Sequence, residues 1–487
     1  MSDAQAPETY SPGEAFEAPL IIRGEVIRES TKHFGTRKGG VTFHAPDVSK
    51  YLDRLIAQPA SLRDLHDLST DEIVSFLAKV GRALGIETNP YMRQAYEVSR
   101  VASGISAPIL EGLYRRMPMM FNEAAIARFI ETQVGSEYLN GWVELNRDQG
   151  RVTSVRAFGA RAIHIIAGNS PGVAFTTILR NAITRSDAII KLPSNDPLTA
   201  TAIARTMIDT DPDHPLTRHL AVAYWKGGDA QIEARLYTPR NVEKIVAWGG
   251  YASVEHITRY LRPGIDLITL DPKHSGSIIG HEALANDETM RKVAGRAAID
   301  IGAYNQETCA NARVIYVECD PDDSAQLERL NAFGKHVFDA LQQLDQQLST
   351  AAKYVVPELQ DEIAGLELQD DWYRVIRKDE RSGAIIVSQM DEVVSFSNLL
   401  ACRTANLVPV ANLEDALKRI NASTQTIGVY PEALKQRIRD RLGLQGAQHI
   451  ISLGSVTAMG VSGPQDGLQP ERRMLKWVKD VSVDLGD

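Results

Sequence analysis

The chain has 487 residues, far more than a lone small module at about 100–200 residues per domain. With 44% hydrophobic and 24% charged residues, and with 35 Gly and 22 Pro that form no repeat or low-complexity tract, it is neither disordered nor fibrous. A net charge of −9 without a basic stripe argues against a nucleic-acid partner.

No run reaches the roughly 18 apolar residues that span a bilayer, and the opening MSDAQAPETYSPGEAFEAP has neither a basic nor an apolar targeting region. A cytoplasmic protein with no membrane span is therefore expected. Cys309, Cys319 and Cys402 make no disulfide framework, and no Cys or His spacing suggests a metal site.

Residues 1–45 mix Pro, Gly and charge without a sustained period and read as an extended N-terminal arm. A helical pattern follows. Ser69-Thr70-Asp71-Glu72 has the form of a capping box, Ile73, Phe76, Leu77 and Val80 recur at helical spacing, and Gly85 stops the run. Tyr138 to Phe158 holds two alternating stretches around Asn146-Arg147-Asp148-Gln149-Gly150, which predicts a hairpin, read as an oligomer flap.

Between 160 and 272, short β-branched runs (162–167, 188–192, 220–225, 242–248 and 265–270) alternate with helix-like segments of about 10–15 residues. Strands apolar on both faces and joined by crossovers predict a parallel, nucleotide-binding type of sheet covered by helices. A second alternation runs from about 275 to 455, with strands near 312–317, 384–387, 426–430 and 450–453. The fold class is α/β with two lobes. The expected division is a cofactor-binding domain of 46–137 and 159–272, an oligomerisation hairpin of 138–158 joined by the tail 479–487, and a catalytic domain of 273–478.

Neither G-x-G-x-x-G nor G-x-x-x-x-G-K-[ST] occurs, so a dinucleotide would need another grip. One strand runs into Ile166-Ala167-Gly168-Asn169-Ser170-Pro171-Gly172, where Pro171 suits a first helical turn. Asn169 is then either a capping residue or a ligand contact at a positive helix end. Lys191 ends an apolar strand, where open α/β sheets place ligands, and either snorkels or holds a ribose or phosphate oxygen. Gly249 and Gly250, followed by Tyr251-Ala252-Ser253, end a later strand with a turn that lets a ligand approach. Cys309 lies on a loop, in Asn305-Gln306-Glu307-Thr308-Cys309-Ala310-Asn311-Ala312-Arg313, and is either a small buried hydrophobe or a cleft thiol.

Taken in order, Asn169 in IAGNSPG, Lys191 in IIKLPSNDPL, WGGYAS, TLDPKHSG and NQETCANAR resemble the aldehyde dehydrogenase superfamily in order and spacing. Within it, the NQETC form, Gly463-Pro464-Gln465-Asp466-Gly467 and Arg472-Arg473-Met474-Leu475-Lys476-Trp477-Val478 resemble the acyl-CoA reductase family, which includes the reductase subunit of bacterial bioluminescence. The likeness spans about residues 50 to 480. It implies an aldehyde dehydrogenase-like fold and NADPH-dependent reduction of an acyl-CoA or acyl-protein thioester to a fatty or aryl aldehyde. A synthetase or acyl-transfer partner and a homo-oligomer belong to the same expectation.

The same likeness assigns roles by position. Cys309 matches the nucleophile and Asn169 the side-chain donor of the oxyanion hole. Lys191 matches the adenine-ribose or phosphate contact; Gly249 and Gly250, in the turn with Ser253, match the loop beside the nicotinamide half. Where hydrolytic relatives carry a glutamate base, this chain has Thr269-Leu270-Asp271-Pro272-Lys273, so release of an acid by water should be slow. Ser194 stands where NAD-preferring relatives have a carboxylate, which favours NADPH while leaving NADH usable. Glu307 is either a substitute base or a solvated carboxylate. The rival readings are an aldehyde dehydrogenase that makes the acid and a non-catalytic homologue acting as an interaction subunit.

Overall fold

In the computed structural model, which describes residues 15–35, 41–148, 150–460 and 462–483, the apolar segments between 160 and 272 form five parallel strands. Their order across the sheet is Asp266–Leu270, Lys244–Trp248, Arg161–Ile165, Asp187–Lys191 and Leu220–Ala223. Arg161–Ile165 and Leu220–Ala223 are buried throughout or nearly so, because helices such as Gly172–Ile183 and Thr199–Thr210 connect and cover them. The chain winds outward from Arg161–Ile165 in one direction and then returns to the other side with Lys244–Trp248. That reversal makes a crevice at the carboxyl ends of these two strands, the place where doubly wound sheets bind ligands.

The arm expected over 1–45 is largely strand wherever the structure describes it; residues 1–14 and 36–40 lie outside the described residues. Leu20–Ile22 joins the first sheet antiparallel to Leu220–Ala223, Glu25–Ile27 pairs antiparallel to Leu20–Ile22, and Phe16–Glu17, Ser30–Gly35 and Thr42–Pro46 form a small sheet of their own. These strands escaped the sequence pattern because they are two to six residues long and interrupted by an Arg23-Gly24 turn with φ of 54° and 84°. Arg23 donates to Asp187 at 2.6 Å and fastens the segment to the sheet.

Two compact units emerge, one formed by the described parts of Met1–Ser103, Leu113–Asp271 and Val461–Asp487, the other by Gly104–Gly112 and Pro272–Gly460. The second unit therefore ends at Gly460 and not at the expected 478. The segment after Gly460 is bound to the first unit by a buried ion pair, Arg180 Nε to Glu471 Oε1 at 2.6 Å, and by Arg473 donating to Asp266 at 2.5 Å. Breaking such a buried pair leaves an uncompensated charge, so its position is strongly specified.

The second unit holds a seven-stranded sheet in the order Tyr373–Arg377, Ala384–Ser388, Thr404–Val410, Ala312–Glu318, His274–Ile279, Thr424–Tyr430 and His449–Ser452, with only the first pair antiparallel. Helices Asp287–Gly302 and Ser324–Gln342 supply the core on one face through residues such as Val293, Ala297, Phe333 and Val337. His274–Ile279 and Thr404–Val410 carry polar residues that hide them from an apolar scan. The structure pairs those groups instead: Asn406 donates to Ile386 O at 3.1 Å and accepts from Val394 N at 3.0 Å.

The expected capping box is present, with Ser69 and Glu72 exchanging bonds at the start of Thr70–Arg82. The hairpin consists of Val143–Asp148 and Arg151–Phe158, and Lys476–Val483 pairs along its second strand. Gly150 turns the chain with φ of 76°, whereas Gln149 and the tail end 484–487 lie outside the described residues.

Candidate active site

In the first unit, the candidate residues stand on loops that leave the carboxyl ends of the parallel strands. Ile166–Pro171 leaves Arg161–Ile165 and enters helix Gly172–Ile183. Its path is fixed by Gly168, whose carbonyl accepts from Asn195 Nδ2 at 2.9 Å; a Cβ at that glycine would lie 2.1 Å from Asn195 Oδ1. Ser170 Oγ, not Asn169, accepts the Gly172 N–H at 3.2 Å. Asn169 is exposed.

Lys191 is the last residue of its strand, and its ammonium lies 5.6 Å from the Trp225 ring centroid and 6.0 Å from that of Tyr224. Burial lowers its pKa to about 8, against a smaller opposing attraction from Glu233. Ser194 hydrogen-bonds the Tyr224 hydroxyl, so no carboxylate occupies that position. Gly249 and Gly250 leave the strand Lys244–Trp248, a Cβ at Gly250 would meet nothing within 4 Å, and Ser253 is exposed in the following helix. Two sides of the crevice thus carry Asn169 and the paired glycines, and the adjacent strand end carries Lys191. A half-buried cation, open glycine backbone and a helix start fit a dinucleotide held by its riboses and phosphates.

In the second unit, Cys309 is exposed on the loop between helix Asp287–Gly302 and strand Ala312–Glu318. That loop is strained and tightly held. Tyr304, Asn305 and Gln306 have φ of 53°, 54° and 66°, a left-handed run that costs non-glycine residues about 1–3 kcal/mol each. Side-chain bonds hold it in place. Asn305 Oδ1 accepts from Thr350 N at 2.9 Å, while Gln306 donates to Ala312 O at 2.8 Å and Thr404 O at 2.9 Å and accepts from Thr404 N at 3.0 Å.

Asn311, wholly buried, braces the turn that bears the thiol. Its Oδ1 accepts from Thr308 N at 3.1 Å and Thr308 Oγ1 at 2.7 Å, and its Nδ2 donates to Asp300 O at 3.1 Å. Asp300 in turn accepts from Gly454 N and Val456 N, and burial raises its pKa to about 6. Ser275 Oγ donates to the Cys309 carbonyl at 2.6 Å and accepts from Thr426 N at 3.0 Å. Gln425 Nε2 donates to Cys309 Sγ at 3.0 Å.

Arg313 is largely buried, donates to Leu400 O at 2.9 Å and Asn311 O at 3.1 Å, and is attracted by both Cys309 and Glu307. Glu307 is half-buried at the end of the left-handed run. The other thiols differ: Cys319 is buried, with burial pushing it up to about 12, and Cys402 donates weakly to Tyr354 O at 3.5 Å. Sequence reasoning quoted Asn311, Arg313 and, within TLDPKHSG, Ser275 without a role, and missed Gln425 altogether. Ser275 and Gln425 lie 34 and 116 positions from Cys309, at strand ends that no local pattern connects to it.

Comparison with known proteins agrees with this architecture. The chain resembles the long-chain acyl-protein thioester reductase of Vibrio harveyi, 27% identical over 488 aligned residues and covering 96% of each chain. It is 29% identical over 437 residues to that of Photorhabdus laumondii, covering 86% of this chain and 85% of the relative. Among solved structures, aldehyde dehydrogenase 21 from Physcomitrella patens superposes with a TM-score of 0.74 at 13% identity, covering 97% of this chain and 99% of the other. The NADP-dependent glyceraldehyde-3-phosphate dehydrogenase of Bacillus halodurans gives 0.73 at 13%, covering 96% and 99%. The fold is thus aldehyde dehydrogenase-like, and the family profile described as "Acyl-CoA reductase (LuxC)" matches residues 65–477. With most of its length accounted for in this way, the chain belongs to the acyl-CoA reductase (LuxC) family.

Proposed function

We propose that this protein reduces a long-chain acyl thioester, presented on coenzyme A or on a partner protein, to the aldehyde, with Cys309 carrying the acyl group. The supporting observation is the exposed Cys309 thiol on a loop that three side-chain clamps hold in a strained path, with an amide N–H directed at the sulfur. Scaffolding of that kind marks a site where strain and position are maintained for chemistry.

Cys309 Sγ attacks the thioester carbonyl, its S–C bond forms, and the donor leaves as a thiolate that takes a proton from solvent. Exchange between sulfurs of similar pKa needs little acid assistance. When bound, NADPH supplies the hydride that reduces the acyl carbon. By the family likeness, the side-chain amide of Asn169 and the backbone N–H of Cys309 are assigned as oxyanion donors, each worth about 3–4 kcal/mol by analogy with other acyl-transfer enzymes. The thiohemiacetal then collapses, its C–S bond breaks, and Cys309 returns as a thiolate. The sum is thioester, NADPH and a proton giving aldehyde, free thiol and NADP⁺.

Lys191, Ser194, Gly249, Gly250 and Ser253 hold the dinucleotide in this reading, and Ser194 removes the charge that would repel a 2′-phosphate. Thr269, half-buried in its strand, offers no base for water, so the acyl-enzyme waits for hydride. Glu307, half-buried and acting on Arg313 through its charge, is taken in this reading as a charge partner of that cation rather than as a base. Exposed Leu145, Val478, Val481 and Val483 on the three-stranded sheet, with exposed Trp142 just before its first strand, support a homo-oligomer contact there. Among the described residues no helix is long and apolar enough to cross a membrane, in keeping with a cytoplasmic role.

The decisive assay follows NADPH oxidation with acyl-CoAs of varied length and aromaticity, with mass detection of an acyl adduct on the Cys309 peptide. Acid formed from aldehyde and NADP⁺ at a comparable rate without CoA would instead identify an aldehyde dehydrogenase. Full biological function in Cys309→Ala would identify an interaction subunit.

A further inference from the structure

We infer that Gln425 is a catalytic residue, whose amide N–H stabilises the Cys309 thiolate both when it attacks the acyl carbon and when it is expelled from the thiohemiacetal. The inference rests on the reading of Cys309 as nucleophile and adds the group that keeps its sulfur ionised.

Gln425 is 3% exposed, sits at the start of strand Thr424–Tyr430, and donates to Cys309 Sγ at 3.0 Å. Its neighbours fix both partners: Ser275 Oγ bridges Thr426 N and the Cys309 carbonyl, so the residue after the glutamine and the residue bearing the thiol share one hydroxyl. A sulfur has no fixed lone-pair geometry to satisfy in its acylated form, whereas a thiolate gains a charge-assisted bond. The contact therefore favours the two steps in which sulfur carries the charge. In the first, the sulfur electron pair forms the S–C bond as the donor's C–S bond breaks. In the last, the C–S pair returns to sulfur as the hydroxyl proton leaves and the C=O bond forms.

Arg313, on the strand that follows the thiol, interacts with the charges of Cys309 and Glu307, and His274, next to Ser275, has its pKa lowered by burial and then by Arg313. These stay constant when only Gln425 is changed. Removing a thiolate donor has two opposed effects. Fewer sulfurs are ionised at neutral pH, but each thiolate is more nucleophilic, with a Brønsted slope of about 0.4–0.5. If the midpoint rises by about one pH unit, a tenfold loss of thiolate is offset by roughly threefold higher reactivity. The net is about threefold slower reaction at low pH and about threefold faster on the alkaline plateau.

The test is iodoacetamide modification of the full chain from pH 5 to 10, mapped to the Cys309 peptide, for the native protein, Gln425→Met and Gln425→Glu. Both variants should show an upward-shifted midpoint and profiles that cross the native one; the shift should be larger in Gln425→Glu, whose carboxylate faces the sulfur. A general loosening of the loop would change rates without producing a crossing. Superposed profiles, or a downward shift, overturn the inference. Gln425→Glu preserves volume and keeps the test open should the methionine variant not fold. Hexadecanoyl-CoA and the carrier-free thioester S-hexadecanoyl-N-acetylcysteamine, without NADPH, are run in parallel: absence of an acyl adduct on native Cys309 with both overturns the nucleophile reading itself, whereas an adduct with superposed alkylation profiles overturns only the role of Gln425.

Discussion

The two units place their candidate residues at opposite ends of their parallel strands. In the first, Asn169, Lys191 and the Gly249-Gly250 turn leave the carboxyl ends of Arg161–Ile165, Asp187–Lys191 and Lys244–Trp248. In the second, Cys309 precedes Ala312–Glu318, so the thiol stands at an amino end, and Ser275 and Gln425 occupy the amino ends of the adjacent strand His274–Ile279 and of the strand beyond it, Thr424–Tyr430. A carboxyl-end crevice follows from winding alone and needs only small residues and a cation to become a binding site. An amino-end thiol has no such topological help. Its loop must be built from specific hydrogen bonds, which is why Asn305, Gln306 and Asn311 are buried while the residue they serve is exposed.

The contrast is broken most directly at the sulfur. Cys309→Ala should remove the acyl adduct and lower aldehyde formation by at least ~10³-fold. NADPH affinity, measured by nicotinamide fluorescence, should be unchanged, because the binding residues belong to the other sheet. Loss of both would show that the two functions are not divided as proposed. Asn169→Ala should cost about 10²–10³-fold in turnover while the adduct on Cys309 still forms. An adduct that fails to form would place Asn169 in acylation instead.

Asn311→Ala asks whether the amino-end loop depends on its clamps. Three hydrogen bonds from a fully buried side chain disappear, leaving Thr308 N and Asp300 O without that partner. Misplacing a nucleophile by about 1 Å costs up to ~10²-fold, so acylation should fall between ~10- and ~100-fold with NADPH affinity intact. An acylation rate within twofold of native would show that the left-handed run holds itself.

What could be read beforehand follows the same division. The five parallel strands of the first sheet are legible because strands buried on both faces are apolar runs separated by helices, whereas their order across the sheet is not. The carboxyl-end residues could be proposed from that pattern together with the family likeness. The N-terminal strands were missed because their lengths are too short to display a period, and one of them, Leu20–Ile22, pairs with Leu220–Ala223, some 200 residues away. In the second unit the cysteine was found through its motif, but not what positions it. Gln306 reads as a polar loop residue and is in fact bonded to Thr404, 98 positions later. Gln425 reads as an unremarkable strand residue. Contacts between chemistry-bearing loops and distant strand ends leave no local periodicity to detect. The boundary at Gly460 was missed for a similar reason, since it is set by Arg180 meeting Glu471 across 291 positions.

The carboxyl-end site can be sharpened by charge. Ser194→Glu puts a carboxylate beside the Tyr224 hydroxyl at the point where a 2′-phosphate would be repelled. The ratio of kcat/KM for NADPH over NADH should fall about tenfold, one ion pair's repulsion at a partly buried site being worth about 1–2 kcal/mol. An unchanged ratio would move phosphate recognition elsewhere.

The smallest expected effect concerns Lys191. Burial holds its pKa near 8 in the free protein, well below the 10.5 of an exposed lysine. The sign follows from linkage. The folded state binds fewer protons at this site than the unfolded one, so burying the ammonium penalises folding fully below pH 8, and the penalty fades as the pH rises toward 10.5. Ligand binding runs the other way. A ribose or phosphate oxygen favours the charged form, so NADPH should bind with proton uptake above pH 8 and its Kd should weaken by up to about tenfold per pH unit beyond that point. The measurement is a fluorescence titration of NADPH at pH 7, 8 and 9 in native protein and in Lys191→Gln. The native Kd should rise severalfold between pH 7 and 9 and the variant's should be flat. Parallel curves would remove the ammonium from the cofactor contact, and with it the claim that a half-buried cation at a strand's carboxyl end is what the first unit offers the dinucleotide.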